Sequence, residues 1–203
     1  MSHQALVDEL LKEHGETYAA AAGIALADKP SPLFQLLVLT MLSSARISAD
    51  IAVAAARELF GASWRTPQRM RESTWQQRVD ALGRGGYRRY DESTATKLEQ
   101  LSQQVIDEYG GDLRRIRPSG PNAADDLAGV IASFPRIGPT GAKIFCREVQ
   151  DEWPEVSPYF DDRALKTADR LGLPTDPRQL AELAPNGKVA VLAAALARAK
   201  PAR

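Results

Sequence analysis

Phe134-Pro135-Arg136-Ile137-Gly138-Pro139-Thr140-Gly141 lies between two helix-forming stretches, and its reading decides the fold. The pattern from Ala128 is helical as far as Phe134. Pro135 ends that helix, because the residue before a proline is pushed out of the α region. Gly138 reads as a sharp turn and as a patch of surface without a side chain. Pro139 opens a second helix that runs past Lys143, at a position where a missing N–H costs nothing. A helix begun in this way turns the backbone N–H groups of Gly138, Thr140 and Gly141 outward. Such a terminus can hold an anion, a phosphate among them. A plain tight connection between two helices has the same local pattern, so the rest of the chain must decide.

Working outward, helical periodicity dominates and no window alternates as a strand does. Ser2 caps a helix to about residue 13, where His14-Gly15 ends it. Residues 17–27 are alanine-rich and helix-prone up to Pro30-Ser31-Pro32, which break the chain and start a new helix. Residues 33–42 are apolar almost all round, as a buried central helix would be. Ser48 caps residues 49–60, Thr66-Pro67 opens a short helix to 72, and Ser73 or Thr74 caps one to 82. Residues 83–90, Gly-Arg-Gly-Gly-Tyr-Arg-Arg-Tyr, read as a flexible basic and aromatic turn. A long amphipathic helix follows to Gly110-Gly111, then a loop at 111–122. Helices are expected at 123–134, 140–151, 161–171, 177–183 and 187–199. The fold class is all-α, with about ten helices and no solenoid repeat.

Composition narrows the function. The 203 residues have as many Lys and Arg as Asp and Glu, 26 of each, so no global positive field holds this protein on a polyanion. Contact with nucleic acid would have to come from local patches. Cys146 is the only cysteine, which excludes an internal disulfide and a four-thiolate zinc or iron–sulfur site in this sequence. His3 and His14 have no ligand partners near them in sequence. The apolar stretches 33–42 and 189–197 fall well short of the ~20 residues of a membrane span, and the N-terminal residues lack a signal core. A soluble, cytoplasmic protein with no membrane partner is expected.

Phe160-Asp161-Asp162-Arg163 follows the turn at the distance of one helix and a short connection. With the 134–138 turn it resembles the helix-hairpin-helix DNA glycosylases, of which endonuclease III is the familiar member. Their hairpin reads roughly Leu-Pro-Gly-Val-Gly and is followed by a Val-Asp segment that opens another helix. The resemblance extends in helix order over about residues 30 to 200. It implies a two-lobed helical fold: residues 30–143 form one lobe, and 1–29 with 144–203 form the second. Double-stranded DNA would lie in the cleft between them, bound by a monomer. The family's C-terminal cysteine cluster has no counterpart in this sequence, so no iron–sulfur cluster is expected. The family's hairpins bind a monovalent cation through backbone carbonyls, here those near Phe134, Arg136 and Ile137.

The resemblance also assigns residues. Asp161 matches the family's essential acid, where a carboxylate stabilises an oxocarbenium-like sugar or helps activate water. Asp161 can equally be a plain helix cap, and Asp162 is the neighbouring carboxylate. Thr140 stands where bifunctional members carry the Schiff-base lysine, and a hydroxyl cannot form an imine. Lys143, one turn on, reads as a phosphate contact or as a solvated charge. Arg136 replaces the first hairpin glycine and adds a cation to the turn. Arg46, after Leu42-Ser43-Ser44-Ala45, is the candidate to fill the gap left by an extruded base. In the 83–90 turn, Tyr87 is offered for stacking and Arg84, Arg88 and Arg89 for phosphates. The resemblance thus implies a base-excision-repair hydrolase, a monofunctional DNA N-glycosylase acting on damaged or mismatched bases. The alternative is a catalytically inactive DNA-binding protein of the same fold.

Overall fold

The helix predicted at the centre is there, and it is longer than its apolar run. α3 spans Pro30–Ser43, with its prolines in the first turn, and every residue from Leu33 to Leu42 is buried. Even Gln35 and Thr40 are inside, and the Gln35 amide donates back to the Ser31 carbonyl at 3.3 Å. An all-round apolar helix must be enclosed. α4 (Ala49–Gly61), α9 (Pro139–Val149) and a 3₁₀ turn at Leu113–Ile116 pack directly on it. The computed structural model describes residues 2–199. Among them are only helices, turns and loops, with no strand, so the all-α class holds.

The other helices are α1 (His3–His14), α2 (Tyr18–Ala21), α5 (Pro67–Glu72), α6 (Trp75–Arg84), α7 (Asp91–Tyr109), α8 (Ala123–Ala132), α10 (Asp162–Arg170), α11 (Pro177–Ala181) and α12 (Val189–Arg198). Caps match the sequence closely. Ser2, Thr17, Ser48, Thr66 and Thr74 each accept a backbone N–H of the first turn, and Thr74 with Gln77 forms a full capping box.

Three segments differ from expectation. The helix predicted over 17–27 stops at Ala21, because Gly23 turns left-handed (φ 75°) and sends Ile24 into the core. The loop at 111–122 is anchored, since Leu113 is fully buried within its 3₁₀ turn. The helix predicted to end at 82 continues to Arg84. Gly85, its cap, lies so close to the Ala55 backbone that a Cβ there would collide. That contact fixes the start of the 83–90 turn.

Buried side chains form two clusters. The larger gathers Ala19, Ala22 and Ile24, α3 to α9, and then Trp153 and Val156. The smaller joins Val7 of α1 to Phe160, Ala164 and Ala168, Leu180, and Leu192 and Leu196 of α12. Ala19, Ala22 and Ile24, and Phe145, Val149, Trp153 and Val156, belong to the large cluster. The two clusters adjoin where α9 packs on α12.

Candidate functional site

The hairpin is built as a helix, a turn and a helix, although its strain lies elsewhere than expected. Arg136, not Gly138, takes the left-handed conformation (φ 63°), whereas Gly138 is extended (φ −92°, ψ −175°). Arg136 thus occupies a true left-handed site. That costs roughly 1–2 kcal/mol for a residue with a Cβ. Two contacts offset the cost. The Arg136 guanidinium lies 5.1 Å from the Tyr90 ring centroid and donates to Ser93 Oγ at 2.7 Å. Gly138 contributes open surface: a Cβ there would meet nothing.

At the start of α9 no side chain caps the helix, and the first paired N–H is that of Ala142, on the Gly138 carbonyl (3.0 Å). Among the described residues, the N–H groups of Thr140 and Gly141 have no acceptor. Thr140 is exposed and Gly141 is buried. A Cβ on Gly141 would strike Ser44 Oγ, so this glycine lets α9 approach the end of α3.

Asp161 is the N-cap of α10 and is 8% exposed. One carboxylate oxygen accepts the Ala164 N–H (2.9 Å), and the other accepts from Arg147 Nη1 (2.5 Å). The capping role and a place in a site coincide, because Asp161 also lines a cavity of about 290 Å³. Tyr18, Ile47, Thr140, Lys143 and Arg147 share that cavity, which opens beside the hairpin helix. Arg147 is 3% exposed, and its guanidinium sits 5.2 Å from the Tyr18 ring centroid. Next to it, Glu148 is wholly enclosed and accepts the Ala19 N–H (2.9 Å), tying α9 to the start of α2. Burial pushes the Glu148 carboxyl above its ordinary pKa, with Arg147 pulling the other way.

Lys143 reaches Asp162 at 2.6 Å, and that hydrogen bond raises the lysine pKa while lowering that of the aspartate. The amine is held protonated and paired. Arg46 is exposed, between Ser43 and Ile47, both of which line the cavity. In the 83–90 turn, Arg88 and Arg89 are exposed, Arg89 lies over Tyr90 at 5.3 Å, and Arg84 pairs with Glu58 at 2.7 Å. Tyr87 is a correction. It is 1% exposed, with its hydroxyl 3.4 Å from the Leu42 carbonyl, so it is a core residue and cannot stack on a ligand. Tyr90, held between two arginines, is the aromatic surface of that turn.

Cys146 is buried, with its thiol pushed up to about 12 by burial and directed at the Ala124 carbonyl (3.6 Å). One such thiol does not fit a thiolate-held iron–sulfur cluster. The described residues contain no group of three or more acidic, histidine or cysteine side chains fit for a metal, and no helix long and apolar enough to cross a membrane.

No protein-family model matches the chain, and no curated protein does. Solved structures do, two endonuclease III–DNA complexes among them. One is a trapped endonuclease III–DNA covalent intermediate, an estranged-adenine complex. It has a TM-score of 0.54 and 18% identity, over 97% of this chain and 85% of that one. The other is a non-covalent endonuclease III–DNA complex, with a TM-score of 0.54 and 16% identity over the same shares. The chain has the endonuclease III fold. Within it Thr140 and Lys143 of α9, Asp161, and Ser43 and Ile47 line one cavity, although they are far apart in sequence. Sequence reasoning passed over Tyr18, Arg147 and Glu148. Arg147 lies one turn after Lys143 on the same face of α9, which was a readable signal. Tyr18 gave none, since its approach to α9 joins segments 129 residues apart.

Proposed function

We propose that this protein is a DNA-repair enzyme, a monofunctional DNA N-glycosylase that removes a damaged or mismatched base from double-stranded DNA. The observation that carries this reading is Asp161, fixed at a helix N-terminus in the wall of a cavity beside the hairpin. The volume, about 290 Å³, is at the lower end for small-ligand pockets (~300 Å³) and suits a single base rather than a larger guest. The free N–H groups of α9 and the Arg136–Tyr90–Arg89 cluster offer local phosphate contacts to a chain with no net charge. Arg46, projecting beside the cavity mouth, fills the gap in the duplex.

In this reading the bond between the base and C1′ breaks and its electrons leave with the base. The Asp161 carboxylate then faces the positive sugar, and water adds at C1′, its hydroxyl staying on the sugar to leave an abasic site and its proton going to the departed base anion. Arg147 fixes the carboxylate in place. Strand cleavage through an imine needs a free amine. Thr140 has none, and Lys143 is paired to Asp162, which favours its protonated form.

The test is a panel of duplexes bearing oxidised, alkylated, deaminated or mismatched bases, with Asp161→Asn beside the wild type. Strand breaks should appear only after hot alkali and be lost in the variant. Breaks without alkali that borohydride traps on the protein would show that Lys143 acts as nucleophile. Salt-sensitive binding with no release from any substrate would replace the proposal with a non-catalytic DNA-binding role.

A further inference from the structure

Behind Asp161, two adjacent residues bury polar atoms that have no hydrogen-bond partner among the described residues. They are Nε and Nη2 of Arg147 and Oε1 of Glu148. Nε and Oε1 belong to opposite charges and lie 3.6 Å apart, just beyond hydrogen-bonding distance. Each side chain is anchored at its other end. Arg147 Nη1 donates to Asp161 Oδ2 at 2.5 Å, and Glu148 Oε2 accepts the Ala19 N–H at 2.9 Å. One buried cation therefore stands between two carboxylates and is hydrogen-bonded to only one of them. A displacement of about 0.5 Å would close the second bond. Charged groups left unmet inside a protein are costly, so the pull of Glu148 on this arginine is strong whenever Glu148 is ionised.

We infer that Glu148 is a positioning residue for Asp161 that acts through Arg147, drawing the guanidinium back so that it orients Asp161 without fully neutralising it. This rests on the reading of Asp161 as the group that faces the sugar, and it adds how that group is regulated. With Glu148 ionised, the arginine divides its charge between two carboxylates, and Asp161 keeps more of its field for an oxocarbenium-like sugar. With Glu148 protonated, the whole cation falls to Asp161 and damps that field. Burial raises the Glu148 carboxyl, so the change of state falls above the ordinary glutamate range. The other ionisable groups nearby are held elsewhere. Tyr18 of α2 lies against Arg147 and Arg198, Arg198 donates to the Glu16 carbonyl, Asp151 accepts the Ala190 N–H, and Lys143 holds Asp162. Glu152 and Lys188 share with Glu148 the wall of a second cavity.

The first experiment needs no DNA. In the isotope-labelled full chain, the NMR signal of the Arg147 Nε–Hε group is identified by its through-bond correlation to the Arg147 backbone. It should shift as pH rises through the ionisation of Glu148, with a midpoint above ~4.3. In Glu148→Gln that shift should vanish. Should this variant not fold, Glu148→Asp, whose shorter side chain holds the carboxylate farther from Nε, should reduce it. A signal that stays flat in the wild type, or that shifts equally in the variant, overturns the inference. The second experiment is single-turnover base release from the duplex panel. Glu148→Gln should slow release roughly tenfold, the size of one hydrogen bond to a charged group, with duplex affinity unchanged. It should also lose the rise in rate that the wild type shows over the same pH window. Equal rates and equal pH profiles overturn the inference as well. A titrating signal with no base release from any duplex keeps the coupling and removes the enzyme; base release with a flat signal does the reverse.

Discussion

The hairpin with its neighbouring 83–90 turn and the cavity at Asp161 hold most of their cations differently. On the hairpin side, Arg88 and Arg89 are exposed, Arg136 is held to Tyr90 and Ser93 without any acid, and the N-terminus of α9 is uncapped. On the Asp161 side two cations are paired with acids, Arg147 with Asp161 at the cavity and Lys143 with Asp162 at its rim, while Arg163 in the same wall is exposed. An exposed cation without an acid partner can still attract an outside anion. A buried, paired one sets a position. Under the proposed function the hairpin cations would attract the duplex and the Asp161 pairs would set the geometry.

The largest expected effect is on the buried side. Arg147→Ala leaves Asp161 and Glu148 without their shared cation, and breaking a buried pair by removing one partner costs about 3–5 kcal/mol. Chemical denaturation should show that loss together with lost activity. A fall below ~1 kcal/mol would mean that the pair is effectively solvated and the division does not hold. The next effect belongs to the hairpin and should leave stability alone. Replacing Arg88 and Arg89 with Ala should leave the melting temperature within a degree or two and weaken duplex binding about tenfold. The slope of log affinity against log salt should become shallower by about one for each phosphate that is no longer neutralised. A large stability loss with an unchanged salt slope would place these arginines with the structural cations.

The same contrast explains what could be read from the sequence. The hairpin is local: Pro135, Gly138 and Pro139 act within a few residues, so its helix–turn–helix form and the cap at Asp161 were legible. The buried network is non-local. Glu148 meets Ala19, and Arg147 meets both Tyr18 and Asp161, through contacts that the chain makes only after folding. Tyr87 misled for a related reason. A glycine- and arginine-rich turn looks exposed throughout, but Gly85 seats it against Ala55 and its first aromatic goes inward. That Phe145, Val149 and Trp153 join the large buried cluster with Ala19 and Ile24 is likewise something periodicity alone cannot show.

Arg136→Gly sharpens the comparison at smaller scale. It relieves about 1–2 kcal/mol of left-handed strain, adds about 0.4–1 kcal/mol of chain entropy to the unfolded state, and removes the Tyr90 and Ser93 interactions. These terms nearly cancel, so stability should move by less than ~1 kcal/mol while duplex affinity falls. A clear stability loss would show that the arginine is held in the turn for packing.

The smallest effect at any one pH is expected at Glu148, and it appears as a trend. Its carboxyl is raised by burial, so the folded state holds the proton more tightly than the unfolded chain does. Stability from this group is therefore full below the unfolded value (~4.3) and declines as pH rises toward the folded one. Glu148→Gln removes that titration, and its amide oxygen can still accept the Ala19 N–H. The variant should fall furthest behind the wild type in acid and gain on it as pH rises from about 4 toward neutrality. A difference in melting temperature that stays flat over this range would mean that Arg147 fully compensates the buried charge. The opposite slope would mean that the Arg147–Glu148 attraction outweighs desolvation, and that this side of the cleft is stabilised by its charges as well as positioned by them.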